Sequence, residues 1–255
     1  MHPTVVIIGL GEVGKPLLEI MKSRYQTVGV DINQPASIFG CDVMHVCFPF
    51  QSEKFCRQVV EYIDQYRPAL TVINSTVAPG TTRSIAVESG TAVVHSPVRG
   101  KHVRMQEEML HYTKFIGALD PRSGQRAIEH FEGVGMKTKL LASPEASEIA
   151  KLTETTYFGL LIAWAQEVER YCMKLGANYD EVVSFYDEIK FFPPVKYFPG
   201  EIGGHCVMPN INILLQKSPS ALLEAIVQSN TLRQKNIGPE GWLESSRSSP
   251  LISNL

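Results

Sequence analysis

Three glycines at Gly9, Gly11 and Gly14 form the segment Gly9-Leu10-Gly11-Glu12-Val13-Gly14. A β-branched run, Thr4 to Ile8, precedes them, and helical apolar spacing (Val13, Leu17, Ile20, Met21) follows. Asp31 stands 20 residues after Gly11, at the end of the next apolar run. This is the context that a dinucleotide-binding strand–turn–helix requires. Gly9 permits the tight turn, and Gly11 lets the backbone approach a pyrophosphate at the helix N-terminus. Gly14 allows close helix–strand packing, and Glu12 and Val13 complete the turn that faces the cofactor. Asp31 would hold ribose hydroxyls and repel a 2′-phosphate, and Ile32-Asn33-Gln34 offers no arginine to receive one. The expected cofactor is NAD rather than NADP.

Four other segments could do chemistry. Asn74-Ser75-Thr76-Val77-Ala78-Pro79-Gly80-Thr81-Thr82 follows an apolar strand-like run. Strand ends of an open parallel sheet are where ligands sit, so Ser75 and Thr76 could touch the nicotinamide, the substrate or a water. The same hydroxyls serve equally well as caps of a strand–helix turn. Ser96 to Arg104 gathers Arg99, Lys101, Arg104 and His102 in one loop, which suits an anionic substrate or a solvated surface alike. Lys151 has Thr155 one turn later and could polarise a substrate oxygen; most helix lysines are simply solvated. In Pro199 to Asn210, Gly203 and Gly204 precede Cys206 and could aim backbone N–H groups at an oxyanion. Cys206 could attack an aldehyde, or be an inert turn cysteine.

The elements that must position these residues alternate. Strands are predicted at Thr4–Ile8, Gln26–Val30, Val43–Phe48, Leu70–Asn74, Thr91–His95 and Lys114–Gly117. Helices are predicted at about Glu12–Arg24, Glu53–Tyr66 and Arg122–Phe131. Short apolar strands alternating with helices predict an α/β domain, a Rossmann-type doubly wound parallel sheet covered on both faces, over residues 1–142. Residues 143–235 read as a small all-helical dimerisation and substrate domain. It opens at Ser143-Pro144-Glu145, a helix start, and no proline follows before Leu175. Such a helix is about 45 Å long at 1.5 Å per residue, long for a small domain to bury alone. It is expected to connect domains or to form the spine of a homodimer through residues 145–175. Helices are also predicted at Asn178–Lys190, Ile211–Gln216 and Ser220–Gln234, and residues 236–255 read as a flexible tail.

Composition removes several function classes. The chain has 255 residues, is 44% hydrophobic, and carries a formal net charge of −2, so no strong field points to nucleic acid. No apolar run is long enough to span a bilayer, and the N-terminus lacks the regions of a signal peptide. Five cysteines without zinc-site spacing suggest thiols in the cytoplasm and no metal site.

The sequence resembles the UDP-glucose/GDP-mannose dehydrogenase family of nucleotide-sugar dehydrogenases. The likeness runs from residue 4 to about residue 234 and rests on GLGEVG with Asp31, STVAPGTT, EIAKLTETTY and FPGEIGGHCVMPN. It implies a Rossmann domain, a long dimer-forming helix and NAD-dependent oxidation of a sugar primary alcohol to a carboxylate. It implies Cys206 as the nucleophile that traps an aldehyde as a thiohemiacetal, Lys151 as the oxyanion stabiliser, and Thr76 as the group positioning water or a substrate oxygen. With that substrate class, the cationic loop and the paired glycines make Arg99, Lys101, His102, Gly203 and Gly204 the expected contacts to an anionic sugar or nucleotide-sugar. Three positions depart from the family pattern. Thr155 replaces an Asn, Asn210 replaces an Asp, and Val98 replaces the Glu of Ser-Pro-Glu. Asn cannot accept a proton as a base. The short stretch after Gln234 leads to the expectation of a trimmed form without the family's C-terminal nucleotide-binding domain. Two further readings compete: a single-step alcohol dehydrogenase of the β-hydroxyacid type acting on a smaller anionic substrate, and a catalytically impaired NAD-binding module.

Overall fold

The structure, a computed structural model, describes residues 4–31, 40–51, 53–100, 104–189, 199–204 and 206–236. The chain forms two compact units, Met1–Lys151 and Leu152–Leu255.

The first unit is built on seven strands: β1 (Thr4–Ile8), β2 (Gln26–Val30), β3 (Cys41–Val46), β4 (Pro68–Ile73), β5 (Val93–His95), β6 (Lys114–Ala118) and β7 (Thr138–Leu141). They lie in the order β2-β1-β3-β4-β5-β6-β7. Neighbours run parallel with one exception: β6 is antiparallel to β5, so β6 and its parallel partner β7 run against the other five. The sheet is otherwise the doubly wound parallel one expected, with this reversal at β6. Its physical reason is the connection, since α4 (Met105–His111) is a short element that returns the chain beside β5 without a full crossover. The other helices of this unit are α1 (Gly14–Lys22), α2 (Glu53–Tyr66), α3 (Thr81–Ser89) and α5 (Pro121–Glu132).

The strands read as continuous apolar runs because both faces of the sheet are covered. Alternate residues feed separate cores: Val5, Ile7, Val72 and Val94 pack with Leu17, Phe131 and Met109 on one side. Val6, Ile8, Val46 and Ile73 pack with Phe55, Val59 and Tyr66 on the other. Three elements had no sequence prediction. Helix α3 buries only Thr81, Thr82 and Ile85, so it lacks an apolar stripe. Helix α4 has seven residues, too few for periodicity. Strand β7 is a half-exposed edge.

Helix α6 (Pro144–Leu175) is unbroken for 32 residues. Ser143 Oγ accepts a hydrogen bond from the Ala146 amide (3.2 Å), and Gly176, at φ +72°, ends the helix. The second unit holds most of α6 with α7 (Tyr179–Ser184), a 3-10 turn at Phe185–Glu188, α8 (Val207–Lys217) and α9 (Ala221–Asn236). The helix expected over Asn178–Lys190 thus stops early, as α7 and that turn. The core here is Ala163, Ile202, Val207, Ile211 and Ile226. Gly159, in mid-helix, makes room for α8: a Cβ there would lie 2.6 Å from Val207 Cγ1.

Candidate functional site

In the first unit, the glycine turn sits where the strand order reverses, between the C-terminal ends of β1 and β3. The Gly9 amide donates to Val30 O and the Cys47 amide to Ile8 O, both at 2.8 Å. Gly9 has φ +89°, and a Cβ on it would lie 3.0 Å from the Phe48 nitrogen. A Cβ on Gly14 would lie 1.8 Å from Gly9 O, so any other residue there would force α1 away from the turn. Gly11 is exposed, and a Cβ on it would meet nothing within 4 Å: its open side faces away from the protein. Val13 caps α1 without a side-chain hydrogen bond, and no acid occupies the first turn. The amides there are not neutralised by a carboxylate of the helix itself, as an anion site requires. Asp31 Oδ2 accepts from the Leu10 amide at 3.3 Å, which sets the carboxylate beside the turn.

The segment after β4 is held on several sides. Ser75 Oγ donates to Phe48 O at 2.6 Å, so that hydroxyl ties the β4 end to the β3 end. Thr76 is half-buried beside it. Gly80, the N-cap of α3, has no side chain with which to cap. Glu148 of α6 does so: its carboxylate accepts from the Gly80 amide (2.6 Å), the Thr82 amide (2.9 Å) and Thr82 Oγ1 (2.6 Å). Burial pushes the Glu148 carboxyl up, against the opposing pull of those bonds. Arg83 adds an outer pair with Glu145 (2.6 Å). His95, at the end of β5, is wholly buried; its Nε2 lies 3.1 Å from Ser75 O and its Nδ1 2.6 Å from Ser147 Oγ. A carbonyl only accepts, so Nε2 carries the hydrogen, and Nδ1 shares the single Ser147 hydroxyl hydrogen with Pro144 O (2.8 Å). Burial holds the His95 pKa down at about 3, and the cations of Lys114 and Lys151 contribute.

A buried polar chain supports the next loop. Asn74 Nδ2 donates to His45 Nδ1 (3.0 Å), which leaves His45 Nε2 to donate to His130 Nε2 (2.8 Å). Lys114 is 4% exposed, and its ammonium donates to Asn74 Oδ1 (3.2 Å), Ser96 O (2.7 Å) and Pro97 O (3.1 Å). Three acceptors match three N–H donors, although burial pulls its pKa down to about 7. Lys114 thus anchors the base of the loop that carries Arg99. Arg99 lies against the Tyr112 and Phe115 rings, 5.3 and 5.6 Å from their centroids. Lys101 and His102 lie outside the described residues, as do Ile32-Asn33-Gln34, His205 and residues 237–255.

In the second unit, Cys206 is exposed and stands at the N-cap of α8. The preceding segment is clasped by side chains that the sequence reading did not single out. Asn230 bonds both backbone groups of Ile202: its Oδ1 accepts from the Ile202 amide (2.7 Å) and its Nδ2 donates to Ile202 O (3.1 Å). Gln166 donates to Gly200 O at 2.6 Å and accepts from Ser229 Oγ at 2.8 Å. Gly203 and Gly204 are exposed, and Gly204 has φ +79°. The two helix-borne departures from the family pattern meet each other. Asn210 Nδ2 donates to Thr155 Oγ1 (2.8 Å), while Thr155 Oγ1 donates to Leu152 O (3.0 Å). The pair is a closed amide–hydroxyl contact with no proton acceptor of carboxylate strength in it.

Sequence spacing could have flagged Glu148, which lies one turn before Lys151 on the same face of α6. A Gly-capped α3 needs its capping group from elsewhere, and a buried acid supplies it. Asn230 and Gln166 had no such signal.

Comparison with known proteins agrees with this architecture. Residues 145–233 match the UDP-glucose/GDP-mannose dehydrogenase family, central domain. UDP-N-acetyl-D-mannosamine dehydrogenase of Methanocaldococcus jannaschii is 24% identical over 86% of this chain, which spans 63% of that relative's length. The structure of a UDP-D-ManNAc dehydrogenase from Pyrococcus horikoshii superposes with a TM-score of 0.79 at 20% identity, covering 91% of this chain and 69% of that one. That of Mycobacterium tuberculosis 3-hydroxyisobutyrate dehydrogenase gives 0.71 at 16% identity, with 92% and 94% covered. In the order of its motifs, in the glycine turn with Asp31 and over residues 145–233, this chain is similar to the UDP-glucose/GDP-mannose dehydrogenase family.

Proposed function

We propose that the chain carries out NAD-dependent oxidation of the primary alcohol of a nucleotide-sugar, with a UDP-N-acetylhexosamine as the first substrate to test. The observation that carries this reading is the Gly9–Gly14 turn with Asp31 beside it. Its open Gly11 face and its α1 N-terminus without a capping acid fit a dinucleotide diphosphate. NAD, when bound, supplies the hydride acceptor. Gly9, Gly11, Glu12, Val13, Gly14 and Asp31 would hold it, and Ser75 and Thr76 flank the same sheet edge.

In this reading Lys151 stabilises negative charge on the substrate oxygen, and Thr76 orients a water or hydroxyl. Cys206 Sγ adds to the aldehyde carbon to give a thiohemiacetal. Loss of a second hydride from that carbon leaves a thioester, and water cleaves it to the carboxylate and the free thiol. Arg99 meets the anionic substrate, as would Lys101 and His102, and Gly203 and Gly204 supply backbone N–H groups. The names of the relatives support a nucleotide-sugar. Five free cysteines suit a reaction in the cytoplasm, and among the described residues no helix is long and apolar enough to cross a membrane.

The Thr155–Asn210 contact favours a second reading, in which oxidation stops at the carbonyl, because the Asn210 amide cannot take a proton from thiol or water.

A homodimer through α6 belongs to the same proposal. Tyr157, Trp164 and Tyr171 recur every seven residues and are 52%, 55% and 55% exposed, a seam of the kind that pairs helices. Trp164→Glu is expected to halve the mass in light scattering; a monomeric unmodified protein at micromolar concentration would overturn the dimer.

The test of activity is NADH absorbance with NAD and UDP-N-acetylmannosamine. Cys206→Ala and Lys151→Ala should each lower turnover by roughly 100-fold or more while NAD still binds. Full turnover in Cys206→Ala would remove Cys206 from the chemistry.

A further inference from the structure

We infer that Ser147 and Glu148, neighbours on α6, are positioning residues that grip the Ser75–Thr82 turn at both ends and so fix Thr76 relative to Lys151. The inference deepens the functional reading above and rests on its assignment of Thr76 and Lys151.

Ser147 holds the first end. Its hydroxyl bonds His95 Nδ1 (2.6 Å), and His95 Nε2–H bonds the Ser75 carbonyl, whose peptide leads directly into Thr76 (3.1 Å). Glu148 holds the far end through the Gly80 and Thr82 amides and the Thr82 hydroxyl. Both residues are wholly or almost wholly buried, at 1% and 0% exposure. Lys151 lies four residues beyond Ser147 and three beyond Glu148, on the same helix face. The distance between a turn and a helix is thereby set by five hydrogen bonds, none of which touches the turn's central residues. Backbone packing enforces the same register. A Cβ on Gly117 would lie 2.3 Å from Ser147 Oγ and 2.7 Å from Pro144 Cα, so α6 rests directly on β6. A displacement of the order of 1 Å in a group that positions a substrate can lower turnover by about 100-fold.

Glu148→Gln tests the far end. Its amide must present N–H to one of the donors it now accepts from. Ser147→Ala tests the near end and removes a single oxygen. Two readouts are needed. In hydrogen exchange, the Gly80 and Thr82 amides should exchange about 10-fold faster or more in Glu148→Gln, with Val5–Ile8 unchanged. In NADH formation from UDP-N-acetylmannosamine, both variants should lose about 10- to 100-fold in kcat, while the KM for NAD changes by less than about threefold. Unchanged exchange at Gly80 and Thr82 would refute the clamp. Faster exchange with unchanged kcat would reduce it to a structural contact. If the unmodified protein forms no NADH, the dehydrogenase reading fails. The exchange result then decides the clamp alone.

Discussion

Acidification from pH 7.5 to 5.0 should remove several kcal/mol of the stability of the first unit, and buried histidines set the direction and size of the effect. His45, His95 and His130 are 0%, 0% and 6% exposed. Burial, foremost, holds all three pKa values down: His95 to about 3, His130 to about 4, and His45 well below its ordinary value, with His130 and Lys114 contributing there. His95 and His130 are therefore neutral in the folded chain at pH 5, and burial pushes His45 the same way. The unfolded chain binds a proton at each, near 6.5. A group whose pKa is depressed on folding gives stability above its unfolded value and loses it as pH falls. At pH 5 the loss per histidine is about 1.36 × 1.5, or roughly 2 kcal/mol. It depends only on the folded value lying below 5. His95 and His130 give about 4 kcal/mol, to which His45 adds in the same direction, against a typical total of about 5–15 kcal/mol. Glu148 opposes this, since its raised pKa makes the folded chain take up a proton first as pH falls. The assay is urea denaturation followed by circular dichroism at half-unit pH steps, with hydrogen exchange of Val5–Ile8 to isolate the first unit. The slope should reach about two protons or more near pH 5, and His130→Phe should lower it by about one. A loss below about 2 kcal/mol between pH 7.5 and 5 would refute the argument that these histidines stay neutral when folded.

Gly14→Ala should abolish NAD binding, with at least about a 100-fold rise in Kd by calorimetry. A Cβ 1.8 Å from Gly9 O displaces α1 from the diphosphate turn. Gly159→Ala should destabilise the second unit by about 1–3 kcal/mol, because Val207 Cγ1 lies 2.6 Å from the added carbon; thermal denaturation checks it. Asn210→Asp should keep its contact with Thr155, since the hydroxyl can turn to donate. The variant should melt within a few degrees of the original, whereas Asn210→Ala should lose about 1 kcal/mol or more.

The fold was legible where burial produces pattern. The β1–α1–β2 unit, the apolar runs of β3 and β4, and the Ser143–Gly176 limits of α6 follow from periodicity, caps and glycine. The reversal at β6 was not legible, because a strand's sequence does not encode its direction and α4 is too short to announce how the chain returns. At the site, residues that would face ligand belong to recognisable motifs, whereas those that hold the motifs do not. Glu148, His95 and Lys114 appear in the sequence as a surface acid, a strand-end residue and a strand-start cation. Only the fold buries each among partners for every hydrogen bond. Asn230 and Gln166 act over 28 and 34 residues of chain on the backbone before Cys206, separations that local spacing cannot reveal.

The central claim is that this chain oxidises a nucleotide-sugar alcohol through a cysteine-bound intermediate. The most direct measurement is NADH formed per mole of limiting UDP-N-acetylmannosamine, with the product followed by mass. Two NADH and a carboxylate, falling to none or one in Cys206→Ser, is the predicted result. One NADH with an aldehyde or ketone, unchanged in Cys206→Ser, would contradict it and leave a single-step dehydrogenase in which the Thr155–Asn210 pair needs no base.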